Sequence, residues 1–204
     1  MDLRILKAVN ELWGKIYPYL ALQVMKHYGR GDGGVLELGP FSGGLSRELA
    51  KGYPGLNFTI AAQEGSVVDY LRKEVAEAGL NRKVEVMRSE LDPLGFADGL
   101  FDLILFRGAY FFLDEEGRML REIYRVLKEG GLAFIGGGYG KETPQALIDE
   151  IAVESRDLND RLGRKRVTEE AVKNMVNKAG LTGHAEVEKG GGLWLLVSKK
   201  KARD

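Results

Sequence analysis

The chain has 204 residues, 44% of them hydrophobic and 29% charged, which is the balance of one globular domain with a real core and not of a disordered segment. Lys plus Arg total 30 and Asp plus Glu total 30, so no overall field favours nucleic acid or an anionic membrane; the local basic stretches Arg161–Arg166 and Lys199–Arg203 are expected to be solvated surface. With no cysteine there are no disulfides, thiolate metal sites or thiol nucleophiles, and two histidines, His27 and His184, are too few for a His-rich metal centre.

Met1-Asp2-Leu3-Arg4 lacks the layout of a signal peptide, and no apolar run approaches ~20 residues, so a cytoplasmic protein without a membrane partner is expected. Apolar residues recur at helical spacing from Ile5 to His27, and Pro18 should split this run into two helices. Residues 1–30 then form a helical cover on a single domain spanning 1–204. Gly29–Gly34 stops the second helix, and Val35–Leu38 reads as a short buried strand. A turn at Gly39–Gly44 leads into the helical Leu45–Ala50. Strands are expected at Leu56–Ala62, Val84–Arg88, Phe101–Phe106 and Leu132–Gly136, with helices at Val67–Ala78 and Glu115–Leu127 between them. Two more helices follow, Thr143–Leu162 and Thr168–Ala179, the latter with Thr168 as N-cap and Gly180 as its stop. The last strands, Gly183–Glu188 and Leu193–Ser198, are joined by three glycines; so short a link makes a hairpin, and one of the two must run antiparallel to the rest. The fold class is therefore α/β: a doubly wound, mostly parallel, seven-stranded Rossmann-like sheet with a C-terminal hairpin and N-terminal helices.

Glycines between a strand and a helix let a ligand approach the backbone, and the helix that follows presents unpaired N–H groups. Glu37 lies in the apolar strand two residues before this turn, where burial costs several kcal/mol unless a partner is present. It would repel a pyrophosphate and attract an ammonium, and S-adenosylmethionine carries both an ammonium and a sulfonium. An acid, then Gly-x-x-x-Gly, then a helix resembles the cofactor loop of class I S-adenosylmethionine-dependent methyltransferases. Four later stretches are similar to that family in order and spacing: 67–80, Phe96–Leu105, Leu120–Gly131 and Thr168–Leu181. The resemblance covers Gly34 to Ser198.

The resemblance implies a cofactor site of Glu37, Gly39, Pro40, Phe41 and Gly43 at the corner, completed by residues at the ends of three further strands. Phe41 stands where the family usually has glycine, and Ala62 where it has the acid that binds the ribose; Gln63 or Glu64 is expected to take that part. Glu90, or Ser89, is expected near the adenine amino group. Arg107, at the end of the fourth strand, is counted with the cofactor-binding residues; its side chain either holds an anionic acceptor or pairs with a surface carboxylate, the latter being expected. Ligands in such sheets lie beyond the carboxyl ends of the strands. That rule selects Tyr110 and Tyr139 as acceptor-pocket residues or as plain packing; Tyr17 is counted with them as substrate-binding, and the N-terminal helices, through Trp13, Tyr17 and Tyr19, are expected to cover the site as a lid. Trp13 is expected in the core, His184 in a structural or exposed position, and His27 at a helix carboxyl end. Methyl transfer from a sulfonium needs mainly positioning and exclusion of water, so no obligatory catalytic signature or metal is expected. The acidic- or Asn-Pro-Pro-aromatic run of the family's nucleic-acid amino-methylating members is replaced by Arg107-Gly-Ala-Tyr110. A small-molecule acceptor is preferred, and nucleic acid is not excluded. Two alternatives stay open: a non-catalytic module on the same fold, favoured by Phe41 and Ala62, and an NAD-dependent oxidoreductase, disfavoured by Glu37 and Ala62.

Overall fold

Two helices precede the sheet in the computed structural model, which describes residues 2–200: α1 (Leu3–Trp13) and α2 (Tyr17–Tyr28). Asp2 caps α1 by accepting from the Arg4 N–H. Pro18 lies in the first turn of α2, where its missing N–H would have had no partner in any case. The chain therefore breaks just before the proline, and the proline starts a helix instead of kinking one. Gly29, at φ +68°, closes α2 in the left-handed conformation.

The sheet elements follow as β1 (Asp32–Leu38), α3 (Gly44–Gly52), β2 (Gly55–Ala62), α4 (Gly65–Glu77), β3 (Val84–Arg88), β4 (Phe101–Arg107), α5 (Arg118–Val126) and β5 (Leu127–Gly138). The chain ends with α6 (Gln145–Arg161), α7 (Glu169–Lys178), β6 (Ala185–Lys189) and β7 (Gly192–Ser198). Strand order is β3-β2-β1-β4-β5-β7-β6, with β7 antiparallel to both neighbours and the remaining pairs parallel. The order reverses between β1 and β4, so the crevice of a doubly wound sheet opens beyond Leu38 and Arg107.

Alternation along the strands assigns each residue to a face. Val35, Leu103, Leu105, Phe134 and Trp194 pack with α1, α2, α3, α4 and α6 on one side. Leu36, Leu38, Ile104, Phe106, Ile135 and Leu195 pack with α5 and α7 on the other. Glu37 has the parity of Val35, and Arg107 that of Leu105. Both are thereby directed toward the N-terminal helices, although they sit on different strands.

Three boundaries differ by three or more residues from the sequence expectation, and β1 is one of them, starting at Asp32 where Val35 was expected. α5 starts at Arg118, three residues late, because the Asp114 carboxylate gathers the N–H groups of Glu116, Arg118 and Met119 ahead of the helix. It ends at Val126 because Gly99 and Leu100 donate to the carbonyls of Arg125 and Val126 at the mouth of β4. Leu127 then pairs with Phe101, so β5 begins five residues earlier than its apolar run suggested. Thr168 does cap α7, accepting from the Ala171 N–H. His27, in the last turn of α2, brings its Nε2 to 2.7 Å from a Glu188 carboxylate oxygen of β6, so a helix end meets the sheet edge. His184 is structural, meeting the Tyr124 hydroxyl at 3.2 Å. Within the basic tail, Lys199 lies over the Tyr124 ring, and Lys201–Arg203 lie outside the described residues. Among the described residues, no helix is long and apolar enough to cross a membrane.

Candidate functional site

At the corner after β1, Gly39 and Gly43 take φ +87° and +94°, a region closed to other residues without strain. Glu37 is fully buried beneath this corner; its Oε2 accepts the Ser46 N–H of α3 at 3.0 Å, and its Oε1 has no hydrogen-bond partner. Burial pushes the carboxyl above its usual range, opposed by the Ser46 donor, by the nearby Gly43 backbone and by the charge of Arg107. The acid thus organises the start of α3 with one oxygen and keeps the other unspent.

The N-terminal helices close over the corner. The ring of Tyr17 occupies the space where Gly44 lacks a Cβ, and that of Phe41 occupies the same space at Gly108. Asn10 donates to the Pro40 carbonyl at 3.4 Å. Arg107, only 4% exposed, donates to Asn10 Oδ1 at 3.1 Å and to the Phe41 carbonyl at 3.0 Å. Its guanidinium lies 4.7 to 5.3 Å from the ring centroids of Trp13, Tyr17 and Phe41, and its Nε has no hydrogen-bond partner. A surface carboxylate was the expected partner, and this is corrected: parity turns Arg107 inward, where aromatic faces and carbonyls meet it.

At the other end of the crevice, beyond β2 and β3, Gln63 Nε2 donates to Glu90 at 3.1 Å. Ser89 is buried and bonds the Glu90 carbonyl and the Gly95 N–H, which fixes the loop that carries Glu90. Glu64 is exposed at the N-cap position of α4, and Ala62 is buried in register with Arg88. The fold therefore groups the sequence candidates into a corner set and an outer polar set.

Beyond β4 and β5 lies a cavity of about 540 Å³, lined in part by Trp13, Phe41, Arg107, Tyr110 and Tyr139. Trp13 packs in the core as expected, but it also stacks on Tyr139 at 5.3 Å and donates to the Ser155 hydroxyl at 3.0 Å. Tyr110 donates to the Leu193 carbonyl at 2.9 Å, and burial pushes its phenol well above the usual range. It is accordingly an anchor and not a base. Tyr110→Phe is expected to cost about 1 kcal/mol of stability and to leave any pH–rate profile unmoved; a profile that loses a limb would reverse this reading.

Sequence reasoning missed Asn10, Ser155, Asn159 and the cavity-lining part of the basic stretch, Arg164 to Arg166. One signal was available: Asn10 shares the apolar stripe of Leu6, Val9 and Trp13. Likewise Ser155 and Asn159 share the buried face of α6 with Ile151 and Leu158. Nothing in the sequence marks Arg164–Arg166 as a cavity wall.

Residues 36–135 match the family described as a methyltransferase domain. Over 125 residues the chain is 29% identical to a sarcosine/dimethylglycine N-methyltransferase of Halorhodospira halochloris, covering 59% of this chain and 43% of that protein. Over 101 residues it is 29% identical to a ubiquinone/menaquinone biosynthesis C-methyltransferase of Desulfotalea psychrophila, covering 50% and 39%. The chain thus spans about two-fifths of the length of these curated relatives. A solved structure of a candidate S-adenosyl-L-methionine-dependent methyltransferase from Methanococcus maripaludis superposes with TM-score 0.81 at 29% identity, over 97% of this chain and 93% of that one. A SAM-dependent methyltransferase from Aquifex aeolicus shares the fold at TM-score 0.62 and 20% identity, over 94% and 96% of the two chains.

Proposed function

The chain belongs to the class I S-adenosylmethionine-dependent methyltransferases, and from that premise we propose that it transfers the methyl group of S-adenosylmethionine to a small-molecule acceptor bound beyond β4 and β5. One observation carries the reading: a buried acid with an unspent oxygen, Glu37, under a glycine corner at the point where the strand order reverses. The relatives named for sarcosine and for quinone biosynthesis support an acceptor of small-molecule size.

The residues present fit the cofactor. Oε1 of Glu37 offers an ammonium the charge-assisted bond that nothing else makes. Gly39 and Gly43 supply a backbone that a ligand can approach closely. The Gln63–Glu90 pair offers donors and acceptors for a nucleoside, with Glu64 and Ser89 beside it. Bound there, the sulfonium supplies an already activated methyl electrophile. What falls to this chain is to bind, orient and exclude water. Tyr17, Phe41 and Trp13 keep the corner dry, and Arg107 joins the α1 cover to the corner through Asn10 and the Phe41 carbonyl. Because Glu37 is fully buried, any ligand atom reaching it must displace a neighbour.

Thermal unfolding with S-adenosylmethionine, S-adenosylhomocysteine and NAD side by side tests the proposal. Either S-adenosyl compound at 100 times its dissociation constant should add about 2.7 kcal/mol of stability, and NAD nothing. Stabilisation by NAD alone would return the oxidoreductase reading. Stabilisation by neither S-adenosyl compound would remove the enzyme.

A further inference from the structure

The 540 Å³ cavity has an uneven charge. Arg107, Arg156, Arg164, Lys165 and Arg166 line it, and no Asp or Glu does. The chain as a whole is neutral, with 30 basic and 30 acidic residues, so five cations without an acid is a property of this wall and not of the composition. Four of the five come from α6 and the loop after it, and Arg107 comes from the sheet.

Most of this charge is unspent. Arg156, Lys165 and Arg166 form no ion pair with any described residue, whereas Arg164 pairs with Asp160 at 2.7 Å and keeps an Nε without a partner. Arg107, 96% buried, likewise lacks an Nε partner and faces no carboxylate closely enough to pair. A buried cation is costly in such a place unless an anion completes it. Between the cations lie flat apolar surfaces, the stacked Trp13–Tyr139 pair and the ring of Phe41.

Resting on the methyl-transfer reading above, we propose that the acceptor is a small organic anion, a carboxylate or phosphate ester on a flat apolar body. The rings take the body, and the cationic wall takes the charge. The cavity's size suits a molecule of this kind and not a polymer strand. Rim cations speed capture by steering, and they make binding depend on salt.

The test uses the full chain saturated with S-adenosylhomocysteine, which isolates the acceptor side. Isothermal titration compares benzoate, phenyl phosphate, neutral benzamide and a 12-nucleotide single strand, each at low and high salt. At least one of the two acids should bind 10-fold or more tightly than benzamide, and the preferred acid distinguishes carboxylate from phosphate. The double variant Lys165→Ala/Arg166→Ala, made at exposed positions, should cut that preference at least fivefold while leaving S-adenosylhomocysteine affinity unchanged. Benzamide binding as well as both acids, or acid binding indifferent to the double variant, overturns the proposal; so does tight binding of the oligonucleotide with neither acid bound. A failure of S-adenosylhomocysteine itself to bind would instead strike the methyl-transfer reading, and it is seen before any acid is added.

Discussion

Replacing Glu37 with glutamine should lower affinity for S-adenosylhomocysteine by about 100-fold, some 2.7 kcal/mol, while making the free protein more stable at neutral and alkaline pH. Both effects follow from one carboxylate. In the free protein its charged form has one backbone donor from Ser46, help from Gly43 and the distant charge of Arg107, against complete burial. The folded pKa is therefore raised, which fixes the sign of the pH effect. Below the ordinary carboxylate range both folded and unfolded chains hold the proton, and Glu37 imposes no penalty. As pH rises from that range through the raised folded value, the unfolded chain ionises first and stability is lost. Glutamine does not titrate, so the variant should gain on the wild type across this window and then hold a constant lead. The ammonium of the ligand would relieve the penalty in the wild type, but the variant has no charge to offer it. Urea melts from pH 4 to pH 9, with and without ligand, measure both arms. Parallel pH curves together with unaltered ligand affinity would refute the role given to Glu37.

Gly44→Ala should cost about 3 kcal/mol, or roughly 6–12 °C of melting temperature for a chain of this length. Alanine normally favours a helix over glycine by up to about 1 kcal/mol, but at this position sterics decide. An added Cβ would stand 2.1 Å from Cε2 and 2.2 Å from Cζ of Tyr17. That ring has little room to retreat, since Tyr17 is 3% exposed and the Arg107 guanidinium lies 5.3 Å from its centroid. The clash should lift α2 from the corner and loosen Asn10 and Arg107 with it. Tyr17→Ala opens a cavity and is also costly on its own, by about 3–5 kcal/mol. Combined, the two changes should cost clearly less than their sum, because the small residue makes room for the new methyl. Additive losses in this cycle would mean that Tyr17 and Gly44 do not share the contact that holds the N-terminal helices closed.

The cover over the corner shows where sequence reasoning reaches and where it stops. Trp13 was legible as a core candidate from the helical apolar spacing between Ile5 and His27, and Tyr17 as part of a lid from its place on the N-terminal helices. The contacts they make were not, because Gly44 and Ser155 lie 27 and 142 positions away along the chain. Arg107 is the sharper case. Read alone, an arginine at a strand end belongs at the surface; strand parity and α1 together bury it. Arg164–Arg166 read as solvated charge, and they become a cavity wall only because the loop after α6 lines the same cavity as the residues that follow β4 and end β5.

The sequence by itself determined the alternation of strands and helices, the glycine corner with its acid, the Thr168 cap and the closing hairpin. Each of these is a short-range signal: a side-chain period, a positive φ, a hydroxyl three residues from an N–H. Tertiary structure alone decided which charges are buried, where α5 gives way to β5, and which cations meet around one cavity. Those outcomes depend on burial and on carbonyls and rings brought from distant segments, and no local window of residues contains them.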